Sequence, residues 1–179
     1  MKIIITGGCG FIGHHFVEHV YTNTNWEIIV IDKLSYASMG LSRLRDTIPG
    51  LLDRVKLFTT DLSVSIPIGI IKEIGYDVDI IVHMAADTHV DNSISDPVPF
   101  IHNNIMSTVH ILEYARKLSN LKTFFYFSTD EVYGPALNDT LFKEDDRHNP
   151  TNPYSASKSG AEQICVSYNN TYGIPLMRI

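Results

Sequence analysis

Two short stretches of this chain hold side chains whose types and spacing could do chemistry. The run Ser128-Thr129-Asp130-Glu131-Val132-Tyr133-Gly134 sets two carboxyls side by side, and Tyr154-Ser155-Ala156-Ser157-Lys158 sets a tyrosine four residues before a lysine. Near the start of a helix that spacing puts phenol and ammonium on one face, where the ammonium is expected to lower the phenol pKa so that it can take a hydroxyl proton. Two adjacent carboxyls in one enclosed site can have their pKa values driven apart, which supplies one acid and one base. Together the two groups suggest oxidation of an alcohol coupled to an elimination. Each alone also has an ordinary reading: a solvated acidic pair at a strand end, and an exposed helical Tyr and Lys.

Such groups need elements to carry them. Short β-branched runs alternate with longer amphipathic segments, the pattern of βαβ units on a parallel sheet. Strands are expected at about 2–6, 27–31, 55–59, 79–83 and 123–128, and helices at about 11–22, 66–74, 97–118 and 154–172. Pro175 to Ile179 reads as the opening of another strand, Ile66-Pro67 and Pro97 suit helix starts, and the polar stretch Gly134–Pro153, with three prolines, reads as a loop.

Composition bounds the rest. With 179 residues, 44% hydrophobic and 19% charged, the chain suffices for one soluble globular domain with a real core. A formal net charge of −6 argues against nucleic acid as the main partner. Cys9 and Cys165 lie far apart with no CxxC spacing, so neither a disulfide framework nor a thiolate zinc site is indicated, and a reducing compartment fits. The opening Met1–Gly7 has too short an apolar run for a signal peptide, and no stretch approaches the length of a membrane span, so a cytoplasmic protein without a membrane partner is expected. Asn138-Asp139-Thr140 and Asn169-Asn170-Thr171 match the glycosylation sequon and, without a secretory signal, read as chance matches.

The first strand runs into Gly7-Gly8-Cys9-Gly10-Phe11-Ile12-Gly13, a GxxGxxG loop opening a helix. Missing side chains there let the backbone approach a pyrophosphate at the helix N-terminus. The second strand ends in Asp32, about twenty residues beyond the glycines, where a carboxylate can accept hydrogen bonds from an adenosine ribose 2′-hydroxyl. Together they point to NAD on an α/β fold, a Rossmann-type doubly wound parallel sheet with helices on both faces. Asp32 would repel a 2′-phosphate, although the neighbouring Lys33 leaves an opening for NADP. The third strand leads to Asp61-Leu62, where adenine lies in such a fold. A Tyr/Lys pair beside a dinucleotide loop then means alcohol oxidation, because hydride can leave a carbinol carbon only as the hydroxyl proton departs. His15-Phe16-Val17-Glu18-His19 formally matches the HxxEH pattern of one zinc-peptidase class, but it sits behind the nucleotide loop and no downstream acid stands out as a third ligand, so no metal site is expected.

TGGCGFIG, HMAADTHVDNS at 83–93, STDEVYG and NPYSASKSGAEQ at 152–163 resemble an extended short-chain dehydrogenase/reductase, and within it the nucleotide-sugar 4,6-dehydratases of the dTDP-glucose and UDP-glucose type. The Thr-Asp-Glu triplet is the specific element, since related 4-epimerases usually lack the Asp-Glu pair. The resemblance implies that Tyr154 deprotonates the sugar 4-hydroxyl, with Thr129 hydrogen-bonding that oxygen and Lys158 binding the nicotinamide ribose. It further implies that Glu131 removes the C5 proton while Asp130, held protonated, serves the departing 6-hydroxyl. By motif it carries over Phe11, Ile12, Asp32, Lys33, Leu34, Ser35, Asp61, Leu62, Ala85, Ala86 and Asn103 to the cofactor, with Gly7, Gly10 and Gly13, and Thr88 to the sugar. His83 and His89 are expected to be packed or hydrogen-bonded rather than catalytic.

Some features depart from that pattern. Asn92 stands where an Arg commonly follows HVD in the bacterial dTDP-glucose enzymes, and HVDNS is closer to the UDP-glucose type. Met106-Ser107-Thr108 replaces the usual Gly-Thr and could alter packing near the cofactor. Relatives of this kind are much longer and bind the nucleotide diphosphate mainly through a C-terminal portion. The 179 residues are therefore expected to form the NAD-binding domain with the catalytic residues but without that portion, as a fragment or a naturally short form. A 4-epimerase or a non-catalytic NAD-binding module are the alternatives. The helices at 97–118 and 154–172 are those through which related enzymes dimerise, so a homodimer is expected.

Overall fold

A computed structural model describes residues 1–48, 50–137 and 141–179. Six parallel strands form one sheet: β1 (Lys2–Thr6), β2 (Glu27–Asp32), β3 (Val55–Thr59), β4 (Ile80–His83), β5 (Thr123–Tyr126) and β6 (Leu176–Arg178), in the order β3-β2-β1-β4-β5-β6. The order reverses at β1, which pairs with β2 (Ile4 opposite Ile29) on one side and β4 (Ile4 opposite Ile81) on the other. Open α/β sheets bind ligands at such a switch point, beyond the carboxyl ends of the strands.

The strands are continuous aliphatic runs because both faces of the sheet are covered. Side chains alternate between the faces. Ile4, Ile29, Ile31, Ile81, Phe124 and Tyr126 pack on one side with residues of α4 (Ile68–Ile74), α6 (Pro97–Ala115) and α7 (Pro153–Tyr172). Ile3, Ile5, Ile28, Val30 and Val82 pack on the other with α1 (Phe11–Asn23) and α2 (Ser42–Thr47). The chain thus has the Rossmann-type doubly wound architecture expected from its alternating pattern.

The long helices begin where their capping residues dictate. Pro97 opens α6, and α7 starts at a capping box in which the Asn152 carboxamide oxygen accepts from the Ser155 N–H at 2.8 Å, with Pro153 in the first turn. Gly173, at φ +71°, ends it in the left-handed conformation. Elements absent from the sequence-based expectation are α3 (Leu51–Arg54), α5 (Val90–Ser95), the two-turn α2, and 3-10 turns at Tyr36–Ser38 and Asp130–Tyr133. All are too short to show a period. The expected helix from 66 starts only at Ile68, because Ile66 is buried in the core and Pro67 caps the helix. The helix expected to 118 ends at Ala115. Asn169-Asn170-Thr171 lies in the last turn of α7, and Asn138-Asp139-Thr140 lies outside the described residues. Among the described residues no helix is long and apolar enough to cross a membrane.

Candidate active site

The glycine loop is shaped by contacts that leave no room for a side chain. A Cβ on Gly13 would lie 2.1 Å from the carbonyl oxygen of Gly7, and one on Gly7, at φ +70°, would lie 2.8 Å from the Ala85 nitrogen on the neighbouring crossover. Gly10 caps α1 with no side chain across the helix end, so the first N–H groups of α1 face open space. Asp32, buried at the end of β2, ties the loop down: Oδ2 accepts from the Cys9 N–H at 2.9 Å and Oδ1 from the Leu34 N–H at 2.8 Å. A carboxylate has acceptor capacity for more than two bonds, so Asp32 remains able to receive ribose hydroxyls.

A cleft of about 370 Å³ opens along the carboxyl ends of the strands. Gly7, Gly10, Phe11, Ile12, Gly13, Asp32, Lys33, Ser35, Asp61, Leu62, Ala85, Ala86, Thr88, Asn103, Tyr154 and Lys158 all line it. An acid at the strand end, an open helix N-terminus and a close glycine backbone fit the sugar and pyrophosphate of a dinucleotide. Leu34 is the exception: its side chain packs against the core beneath the loop, and only its N–H serves the site, through Asp32. Thr60, Asp87, Asn104 and Phe127 line the cleft without having been singled out from the sequence, and Ser107 and Ser128 line it too. Ser107, from the unusual Met-Ser-Thr stretch, bonds to its own helix at the Asn104 carbonyl.

Asp87 is the residue that sequence reasoning most clearly missed. Its carboxylate receives Lys33 Nζ at 3.0 Å and Asn103 Nδ2 at 2.7 Å. Its backbone is gripped at both ends by the Asn104 carboxamide, which also donates to Ser157 Oγ at 2.8 Å. Ser157 in turn donates to the Tyr154 carbonyl at 2.7 Å. A continuous polar chain therefore links the end of β2 to the first turn of α7. Its one sequence signal was an acid inside the 83–93 segment with a lysine and two asparagines elsewhere, and nothing local pairs them.

At the far end of the cleft the Asp130–Tyr133 turn follows one residue after Ser128. Thr129 caps that turn, accepting from the Glu131 N–H at 3.3 Å, and its hydroxyl lies near enough to the Tyr154 phenol to act on its pKa. Glu131 Oε2 accepts from Asn152 Nδ2 at 2.8 Å, so the residue that caps α7 also holds the candidate base. Asp130 is exposed, 3.4 Å from the Thr129 hydroxyl. Thr129, Asp130 and Glu131 thus stand at the rim of the cleft around Tyr154, not inside it.

The electrostatics correct one expectation. Burial raises the Tyr154 phenol above its ordinary value, the nearby Thr129 hydroxyl opposes this, and the Glu131 and Asp130 charges raise it further. The Lys158 ammonium is turned elsewhere. It donates to the Phe127 carbonyl and lies 4.4 Å from the Tyr126 ring centroid, so it does not lower the phenol in the way that spacing on one helix face suggested. Burial pushes Lys158 itself down to about 8, with Cys165 and Glu162 acting in the opposite direction.

The histidines singled out from the sequence are packed or hydrogen-bonded within the fold. His83 is held between the Thr6 hydroxyl, 2.7 Å from Nδ1, and the Thr108 hydroxyl, 3.0 Å from Nε2, and burial followed by the Lys158 charge drives it down to about 3. His89 caps α5 by accepting from the Asn92 N–H. In the HxxEH stretch, His15 lies 3.6 Å from Glu18 and His19 meets Asn23, its neighbour on the same helix.

Residues 4–179 match the family described as GDP-mannose 4,6 dehydratase. The dTDP-glucose 4,6-dehydratase of Salmonella typhimurium is 38% identical over an alignment covering 98% of this chain and 52% of that protein. Among solved structures, dTDP-glucose 4,6-dehydratase (DesIV) from Streptomyces venezuelae with NAD and TYD bound superposes with a TM-score of 0.88 at 32% identity, over 99% of this chain and 54% of that one. The UDP-glucuronic acid 4-epimerase of Bacillus cereus, in complex with UDP-glucuronic acid and NAD, does so at 0.86 and 27%, over 99% and 55%. The chain spans about half the length of the curated relatives it matches.

Proposed function

Because this chain belongs to the GDP-mannose 4,6 dehydratase family, we propose that it is an NAD-binding domain carrying the catalytic residues of a nucleoside-diphosphate-glucose 4,6-dehydratase. The substrate class is dTDP- or UDP-glucose and the product the 4-keto-6-deoxy sugar nucleotide. The observation that carries this reading is the meeting of Tyr154, Thr129, Asp130 and Glu131 at one end of the cleft, since oxidation needs the first pair and elimination the second.

Gly7, Gly10, Gly13, Asp32 and Lys158 would hold NAD, which when bound supplies a hydride acceptor at C4 and a hydride donor at C6 with no net consumption. Tyr154, as its phenolate, takes the proton of the sugar 4-hydroxyl, while the nearby Thr129 hydroxyl opposes the rise that burial and the Glu131 and Asp130 charges impose on that phenol and orients the same sugar oxygen. Lys158, on the same helix one turn on, holds the nicotinamide ribose. The resulting 4-ketone acidifies the C5 proton, and Glu131, held by Asn152, removes it. Asp130 gives a proton to the departing 6-hydroxyl, which leaves as water. Thr88, exposed at the cleft, faces the sugar.

Binding and turnover are tested separately. Calorimetry on the folded chain is expected to show NAD binding, and its absence would sink the reading. With NAD present, mass spectrometry of products from dTDP-glucose and UDP-glucose is expected to show a species lighter by one water. Turnover is expected to be weak in this chain alone, given the longer relatives, and to fall about a thousandfold further in Tyr154→Phe. Both nucleotides belong in the assay, since the solved dehydratases carry dTDP-glucose names while Asn92 follows the UDP-glucose type.

A 4-epimerase is the second reading, supported by the likeness to the Bacillus cereus epimerase. An epimer formed without water loss or solvent deuterium at C5 would establish it. By family analogy two copies associate through α6 and α7, in keeping with exposed Ile94, Val98 and Ile101 near the start of α6. Sedimentation equilibrium checks this, and a monomer at micromolar concentration would refute it.

A further inference from the structure

Glu162 has no part in the chemistry above, yet it is 3% exposed and carries three polar partners. The Ser128 hydroxyl donates to Oε2, Arg178 Nη1 donates to Oε1 at 2.9 Å, and His148 Nε2 lies 3.6 Å from Oε1. A buried carboxylate is costly unless its lone pairs are met, and these partners come from three separate segments: the end of β5, β6 and the 141–152 loop.

The position of Glu162 on α7 gives this cluster its meaning. One helical turn earlier stands Lys158, which donates to the Phe127 carbonyl. Two side chains four residues apart on one helix therefore grip two consecutive residues of the chain, Phe127 by its backbone and Ser128 by its hydroxyl. The next residue is Thr129. A shift of the chain at 127–128 passes directly into the turn that presents Thr129, Asp130 and Glu131, and a displacement of about 1 Å in such groups costs about a hundredfold in rate.

We propose that Glu162 is a positioning residue that, with Lys158, clamps Phe127-Ser128 to α7 and so sets the place of the Thr129–Glu131 turn beside Tyr154. The role of that turn rests on the dehydratase reading above, but the clamp is tested without turnover. The charge of Glu162 also bears on its partner in the clamp, raising the Lys158 ammonium against its burial. The groups facing Lys158 are Glu162 and Cys165 on its own helix, Tyr126 of β5 and His83 of β4. Those facing Glu162 are Lys158 and Cys165 on its own helix, Arg178 of β6, His148 of the loop, Tyr133 of the turn and Tyr126.

The test uses the 179-residue chain with isotope-labelled lysine and amide detection by NMR. Glu162→Gln keeps the shape and removes the charge, and the Lys158 titration midpoint, about 8 in the native chain, is expected to move down by about one pH unit. Ser128→Ala keeps the charge and removes the tether. It is expected to leave the Lys158 midpoint in place while speeding hydrogen exchange of the Val132 amide, bonded to the Thr129 carbonyl, about tenfold. Amides of β1 are expected to exchange at native rates in both variants, which separates a local clamp from a general loss of stability. A native Lys158 midpoint in Glu162→Gln, or native Val132 exchange in Ser128→Ala, would overturn the proposal. Should Glu162→Gln fail to fold, Val132 exchange in Ser128→Ala decides.

Discussion

The β1–β3 half of the sheet and the β4–β6 half hold their functional groups by different means. In the first half the site is made of backbone. Glycines without room for a Cβ, an open helix N-terminus and N–H groups fastened to Asp32 all fall within one βαβ unit. In the second half the site is made of side chains from distant segments. Glu131, Tyr154 and Lys158 are each held by a buried or half-buried polar partner: Asn152, the Ser93 hydroxyl on the Tyr154 N–H, and the Phe127 carbonyl. A backbone-built site is vulnerable to added volume, and a side-chain-built site to altered charge and lost hydrogen bonds.

The largest effect is expected where volume meets backbone. Gly13→Val would drive a side chain into the Gly7 carbonyl, costing about 4 kcal/mol and removing measurable NAD binding. Urea unfolding and calorimetry check it, and a near-native affinity would mean that the loop is not a rigid cradle. In the second half, Lys158→Met removes a cation whose burial is unfavourable. Its folded-state pKa lies near 8 and its unfolded value near 10.5, so the ammonium penalty is complete below pH 8 and is relieved as pH rises from there to 10.5. Relative to Lys158→Met, the native chain is therefore expected to gain about 3 kcal/mol across that window. Comparing the two proteins removes the opposing titration of the buried tyrosines and cysteines, and parallel pH profiles would contradict the buried-cation picture. The smallest effect is expected at Asn152→Ala, which loses the cap of α7 and the hold on Glu131. It should cost about 1 kcal/mol in urea unfolding, and no loss would show that Pro153 alone starts the helix.

The two halves also differed in how far they could be read before the fold was known. Gly7, Gly13 and Asp32 were legible as a unit because strand, loop, helix and strand end follow one another in the chain, and the backbone geometry of that unit is local. Tyr154 and Lys158 were legible as a pair on one helix face, but the direction of their coupling was not. Spacing brought the ammonium near the phenol, whereas packing against β5 turned it to the Phe127 carbonyl and the Tyr126 ring. Leu34 was assigned to the cofactor by motif, yet its side chain turns into the core and only its N–H reaches the site. Asp87 and Glu162 went unremarked because an isolated acid carries no signal until its partners are known.

By itself the sequence determined the alternation of buried strands and amphipathic helices, the glycine cradle with Asp32, and the candidate chemistry of Tyr154 with the Thr129–Glu131 triplet. These follow from backbone conformation, side-chain period and reactivity, all properties of a residue and its near neighbours. Only the tertiary structure decided that Thr129 meets Tyr154, that Lys33 crosses to Asp87, and that Glu162 holds Ser128 to α7. Those pairings join residues 25, 54 and 34 positions apart in the chain. Their geometry depends on which strands lie side by side and on how α6 and α7 pack across them, because burial selects among the hydrogen-bonding partners that the sequence leaves open.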